Sequence, residues 1–278
     1  MIKIQNHGEE AVKWIIRIAI FAQCLGIARL AFSGSPFGYV MFMEWGWAHE
    51  ATVEVEYYLG YLLILISISI LVYPTRIVAA LAAILFFGFS RAAMIDGGEP
   101  FSEWLLASHA VRFAAPIALI LLLTPWKNSK DEYIGQKTVL WLMIGGLALT
   151  FLAHGIQAFL LHPHFVDYII GSAQTLLQWR VDQSTAELLL RFIGIVDIIV
   201  VALLLISSTR QYAASWMIFW GLITALSRMT DVGFHAYYEV LIRFSHFCIP
   251  LAIIILTMLF KERNFAEKQP KKAEGIEV

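Results

Sequence analysis

Charge is scarce in this sequence. Asp, Glu, Lys and Arg make up 15% of its 278 residues, where a soluble globular domain carries about a quarter. The formal net charge is −1, which excludes a nucleic-acid binder that works through a basic surface. Cysteine is almost missing. Cys24 and Cys248 are the two present, with no CxxC pair, so neither an attacking and resolving thiol couple nor a disulfide-stapled secreted domain is encoded. Both lie in apolar runs, where free Cys packs as a small hydrophobe; a structural pair between them is the alternative. The sequence also holds no glycine-rich phosphate loop, no G-x-S-x-G and no H-E-x-x-H, which removes the commonest signatures of nucleotide, hydrolase and zinc-protease chemistry.

What remains is apolar. Hydrophobic residues reach 59%, mean hydropathy is +0.72, and nine Trp, ten Tyr and nineteen Phe add aromatic bulk. This composition predicts an all-α integral membrane protein. A spanning helix needs roughly 20 mostly apolar residues, and eight runs qualify: 14–32, 57–73, 77–95, 104–124, 138–161, 188–206, 212–230 and 240–260. The first is not read as a cleavable signal, because it carries Arg17, Gln23 and Arg29. With the N-terminus inside, 13 of the 20 basic residues, every Lys among them, fall in inner segments, while 13 of the 21 acidic residues fall outside or in the membrane. The positive-inside rule selects this orientation and places both termini in the cytoplasm.

The chain reads as a tandem duplication. Phe113 and Pro116 match Phe247 and Pro250, Lys127 matches Lys261, Gly60 matches Gly194, and Thr75 and Arg76 match Thr209 and Arg210, all at one spacing of 134 residues. Ser90 and Arg91 match Ser227 and Arg228 at 137, Asp96 matches Asp231 at 135, and Gly26 matches Gly155 at 129. Four spans per unit make the two units parallel, related by a pseudo-two-fold along the membrane normal. The expected organisation is a first four-helix repeat over 1–125, a cytoplasmic linker over 126–137, a second repeat over 138–261 and a polar cytoplasmic tail over 262–278.

The first span, from Arg17 through Gly26 to Arg29 and Leu30, resembles the opening helix of the DoxX-like four-helix membrane proteins. The stretches Glu56–Gly60 and Thr75–Ala80 are similar to that family's second and third helices, and Phe151–Gln157 with Ile193 and Gly194 carry the same look in the second unit. The resemblance covers nearly all of 11–261. It implies a four-helix bundle, here doubled, in a bacterial inner membrane, and a link to respiratory or thiol redox such as the membrane subunit of thiosulfate:quinone oxidoreductases. The doubling and the lack of paired cysteines depart from that pattern and count against a thiol-based role.

Polar residues deep in the spans mark the candidate site. At about 1.5 Å per residue, Arg112 lies eight positions inward of Trp104 and His246 eight inward of Tyr238, with His109 and Arg243 three residues before them. Each pair shares a helix face. A charge this deep costs several kcal/mol unless paired or hydrated, so both pairs should face the interior. They could serve only to neutralise acids and join the halves, or they could line a ligand pocket on which Arg112 and Arg243 converge; Arg76 and Arg210, also repeat-matched, are expected to face water. His154 lies level with Arg112 and His246, and Asp197 near the midplane, where an acid is a functional candidate or a structural link to Arg112 or His246. Ion pairs expected to support the site are Arg91 with Asp96, Arg228 with Asp231, and Glu187 with Arg191 at i, i+4. Two histidines from facing helices could ligate a haem, though none has a diagnostic spacing. His162 and His164 read as an interfacial turn, and His235 with Glu239 as a capping pair rather than a metal site.

The function expected from these features is a membrane subunit of an electron-transfer or oxidoreductase system, with a quinone- or lipid-like ligand among His109, Arg112, His154, Asp197, Arg243 and His246. No cofactor is fixed by the sequence; quinone is a candidate, ahead of haem. The alternatives are a transporter or lipid-handling protein, and a structural scaffold of a membrane complex. Expected partners are the lipid bilayer and other membrane or periplasmic subunits, with no nucleic acid.

Overall fold

The computed structural model describes residues 2–98 and 100–268. Among them there is no strand. The main helices are α1 (Ile2–Ala31), α2 (His49–Val72), α3 (Arg76–Asp96), α4 (Ala110–Leu122), α5 (Ser129–Phe159), α6 (Pro163–Leu177), α7 (Gln183–Leu205), α8 (Arg210–Val232) and α9 (Phe244–Lys268). Seven helical segments are long and apolar enough to cross a membrane: α1 from His7, α2, α3, α4 with the turns before it from Ser102, α5 from Lys130, α7, and α9 to Arg263. In length and composition this is a multi-pass membrane protein.

The expected run at 212–230 is helical in α8, and its 23 residues would reach across a bilayer at about 1.5 Å each. It falls short in apolarity because Thr224, Ser227, Arg228, Thr230 and Asp231 crowd its C-terminal end. The linker expected over 126–137 is mostly helix. Asn128 takes its side-chain oxygen to the N–H groups of Lys130 and Asp131 at 3.0 and 2.9 Å, an N-cap that starts α5 at Ser129. The expected tail begins as the end of α9, and residues 269–278 lie outside those described.

Four helices form the centre. α1 packs on α9 and α4, and α5 packs on α4 and α9; α2 and α3 flank α1 and α4, while α7 and α8 flank α5 and α9. Small residues set the closest crossings, as expected where packing rather than water exclusion holds helices together. A Cβ on Gly194 would lie 2.6 Å from the Gly155 carbonyl oxygen and 2.7 Å from the Phe159 nitrogen. A Cβ on Gly26 would lie 2.7 Å from the Ile242 nitrogen.

Arg210 is a correction. Expected in water, it is 6% exposed; its Nε and Nη2 donate to the carbonyls of Leu204 and Leu205 at 3.2 and 3.3 Å, closing the C-terminus of α7. At the end of α2, Arg17 does the same for Ile70 at 2.8 Å and for Leu71, carbonyls 134 positions earlier. Arg17 lies over Trp14 and Arg210 over Trp141. The last four carbonyls of a helix have no partner of their own, and in apolar surroundings an arginine is a strong remedy. Arg76, by contrast, is exposed.

Helix α6 has no counterpart among the expected spans. It starts at Pro163, directly after the N-cap His162, and turns an apolar face carrying Phe165, Val166, Ile169 and Ile170 to the α5–α7 side. Asp182 then caps α7. The hydroxyl of Ser184, then that of Thr185 and its N–H, donate to the Asp182 carboxylate and hold its pKa down to about 2.

Candidate functional site

The helices carrying the two deep pairs are not continuous. Each breaks just outside its core segment: Leu105–Ser108 precedes α4 with His109 at φ −100° and ψ 2°, and Tyr237–Ile242 precedes α9 with Arg243 at φ −97° and ψ 7°. The two breaks are 134 residues apart. After each, the N–H of the third residue onward returns to the break carbonyl, Arg112 to His109 and His246 to Arg243, both at 2.9 Å. The even rise assumed for the sequence depths therefore fails before Arg112 and His246, although both are buried. Pro250, lacking an N–H, leaves the His246 carbonyl free. Gly221 of α8 packs there, where a Cβ would come 2.9 Å from that oxygen.

Two cavities meet at this level. The larger, about 330 Å³, lies in the second half between α5, α6, α7, α8 and α9 and includes His154, Asp197, Arg228, Arg243 and His246. The smaller, about 170 Å³, lies in the first half with Gln23, His109, Arg112, Glu239 and Arg243. Arg243 lines both. Of the six expected ligand residues, the structure thus gathers His154, Asp197, Arg243 and His246 in one chamber and His109, Arg112 and Arg243 in the other.

The expected ion pairs do not form. Among the described residues the pairs within 4.0 Å are Lys13 with Glu10, His164 with Asp167, and Arg243 with Glu239. Glu187 accepts instead from Gln183 at 2.8 Å; Arg91, Asp96 and Arg191 are exposed. Arg228 turns inward, 6% exposed, lies over the Tyr168 ring at 4.5 Å and donates to the Thr224 carbonyl. Asp197, 4% exposed, has Trp220 as its polar contact and reaches neither Arg112 nor His246 as a partner.

Sequence reasoning missed the role of Glu239. It lies one turn before Arg243, and the Arg243 Nη1 donates to its carboxylate and to its carbonyl oxygen. Burial acts to raise this carboxyl, and Arg243, with Arg112 and Arg228 further off, holds it below the usual carboxylate range. The signal was present as an i, i+4 Glu-before-Arg spacing. Arg228 was assigned outward to Asp231, since spacing along one helix cannot say which neighbouring helix a face meets.

Unsatisfied atoms concentrate here. Buried side-chain atoms without a hydrogen-bond partner include Arg112 Nε, Arg228 Nε, Arg243 Nε, His109 Nδ1, His154 Nδ1, His246 Nε2 and Asp197 Oδ1. Native interiors pair the great majority of such groups. The His154 and His246 rings, from α5 and α9, are 6.0 Å apart. Arg112, 8% exposed, makes no hydrogen bond or ion pair to the described residues, so Arg112→Leu is expected to leave the detergent melting temperature unchanged or raised. A fall would mean that Arg112 holds a structural partner.

Comparison with family models, with curated proteins and with solved structures finds no match to this chain.

Proposed function

We propose that the chain is a membrane-embedded subunit of an electron-transfer or oxidoreductase system, whose larger cavity binds a quinone- or lipid-like ligand. The cavity carries the binding part of this reading. Its 330 Å³ is within the range of small-molecule sites, which are mostly apolar with a few convergent polar groups. Phe151, Leu190 and Ile193 supply the apolar wall, while His154, Arg228, Arg243 and His246 supply polar atoms, four of them lacking any partner. The electron-transfer part rests on the resemblance of 11–261 to the DoxX-like proteins.

The same proposal takes the chain as two parallel four-helix repeats in a bacterial inner membrane, eight spans with both ends cytoplasmic. Supporting it are the helix breaks at His109 and Arg243, the arginine-closed carbonyls at matched ends of α2 and α7, and the packing of each half's first helix on the other half's last. α6 then lies on the outer side and roofs the cavity.

Two measurements test this. A reporter active only outside the cytoplasm should work when fused after Gly98 or Pro163 and be silent after Lys130; the reverse pattern overturns the orientation. Protein drawn from membranes in mild detergent should release a quinone or lipid on organic extraction, and Leu190→Trp, which fills the apolar wall, should abolish its retention. Equal retention by that variant would place the bound molecule elsewhere.

A further inference from the structure

Arg112, Arg228 and Arg243 are three guanidiniums in one buried region, close enough for Arg243 to act electrostatically on both others. Among the described residues Glu239 is the one carboxylate paired with any of them. Counting Asp197, which lines the larger cavity without meeting an arginine, positive charges still outnumber negative ones. A guanidinium does not shed its proton in a protein, and a buried charge without a counter-charge is costly. The three free Nε–H groups can only donate. A neutral carbonyl would answer their hydrogen bonds but not their charge; an anion answers both.

The shape of the cavity adds the second half of the ligand. Its polar end holds Arg228, Arg243, His154 and His246; Ser172, Asp197, Thr224, Ser227 and Thr230 also line it, and most of the remaining wall is apolar. Leu176, Ile223 and Leu226 line it and are also exposed, Leu176 by 66%, so the mouth between α6 and α8 is an apolar opening on the side of the bundle. A free ion arriving from water would meet leucine and isoleucine there. An acyl or prenyl chain would not be hindered.

On the reading of this cavity as a ligand site, we infer that it takes an anionic amphiphile, a carboxylate or phosphate head seated on Arg228 and Arg243 with its chain along Leu190 and Ile193 toward the gap between Leu176 and Leu226. Arg112 lies behind Arg243, across the wall to the smaller cavity, and adds charge without contact. Glu239 fixes the Arg243 fork so that its other edge stays turned to the cavity. His154 lines the same end, and His246, whose Nδ1–H goes to the Arg243 carbonyl, leaves its Nε2 to accept a proton carried by the head.

Trp220 lines the cavity and provides a fluorescence signal. The full chain in a neutral maltoside detergent is titrated with dodecyl phosphate, with dodecanol, with decyl-ubiquinone and with inorganic phosphate. Dodecyl phosphate should bind roughly ten-fold or more tightly than dodecanol or decyl-ubiquinone, since hydrogen bonds to charged groups are worth about that ratio, and inorganic phosphate should give no change at millimolar concentration. Arg228→Gln should erase the preference for the phosphate and leave dodecanol binding as it was. Dodecanol or decyl-ubiquinone binding as tightly as dodecyl phosphate would overturn the anionic head while keeping the amphiphile site. Inorganic phosphate binding as well as the alkyl phosphate would overturn the chain-binding part. No response to any amphiphile would overturn the ligand site itself. The ranking needs only the unaltered protein, so it decides the matter even if Arg228→Gln fails to fold.

Discussion

Glu239→Gln should lower the stability of the detergent-purified protein by about 3 kcal/mol, the low end of the range for breaking a buried pair, because both side chains keep some exposure. The substitution keeps size and shape and removes one charge. What it leaves is Arg243 without its carboxylate, between Arg112 and Arg228, which have none of their own. The cost is therefore more than a lost hydrogen bond: three like charges remain in apolar surroundings with nothing adjacent to offset them. The double variant Glu239→Gln with Arg243→Gln should recover much of the loss, since it removes the stranded charge together with its partner. Glu187→Gln, on a residue bonded only to a neighbouring glutamine side chain, should stay within about 0.5 kcal/mol. Thermal unfolding in one detergent at fixed pH reads all three, and equal stability of Glu239→Gln and Glu187→Gln would show the arginine cluster to be hydrated rather than buried.

Gly194→Ala is expected to destabilise by about 3 kcal/mol, the upper end for overpacking. Its new methyl would meet backbone, the Gly155 oxygen and the Phe159 nitrogen, and backbone cannot rotate away as a side chain can. Relief requires α5 and α7 to separate, which also opens the cavity floor at Asp197, whose Cβ is 3.2 Å from where a Cβ on Gly155 would stand. Gly145→Ala on the same α5 has nothing within 4 Å of its added carbon and should gain about 0.5–1 kcal/mol from helix propensity. Opposite signs for two Gly→Ala changes on the paired helices separate crossing geometry from propensity; the same sign at both would mean that α5 and α7 are looser than described.

Most of the helical architecture is written in the apolar runs, because a membrane demands long unbroken stretches and those survive without tertiary context. Where a helix need not cross, the rule is blind: α6 has 15 residues, too few for a span, and its i, i+3, i+4 apolar spacing at Phe165, Val166, Ile169 and Ile170 was the signal to use. Among site residues, burial was legible for Arg112, His246 and Asp197 from depth alone. Direction was not. Arg91 and Arg228 were expected to be repeat-matched, yet Arg91 faces outward and Arg228 inward, since α8 has α6 and its Tyr168 ring beside it. Arg210 was misplaced for a related reason: its guanidinium answers carbonyls at the end of the preceding helix, a demand that its position at a helix start does not disclose.

The 31 residues of α5 extend about 46 Å at 1.5 Å per residue, well beyond the roughly 30 Å of a hydrocarbon core. Its surplus is clamped: Gln136 donates to Glu9 of α1 at 2.7 Å, the Tyr133 ring meets Phe260 of α9 at 5.4 Å, and Arg263 lies over Tyr133 at 4.6 Å. The helix that opens the second half is thus bolted, at its start, to the first helix of one half and the last helix of the other. On the proposed two-repeat reading, rocking one repeat against its twin would have to shear the Gln136–Glu9 bond at every cycle, together with the packing of α1 on α9 and of α4 on α5. On that reading the two halves are tied into one frame, and a motion that admits a ligand is expected of the short α6 at the rim.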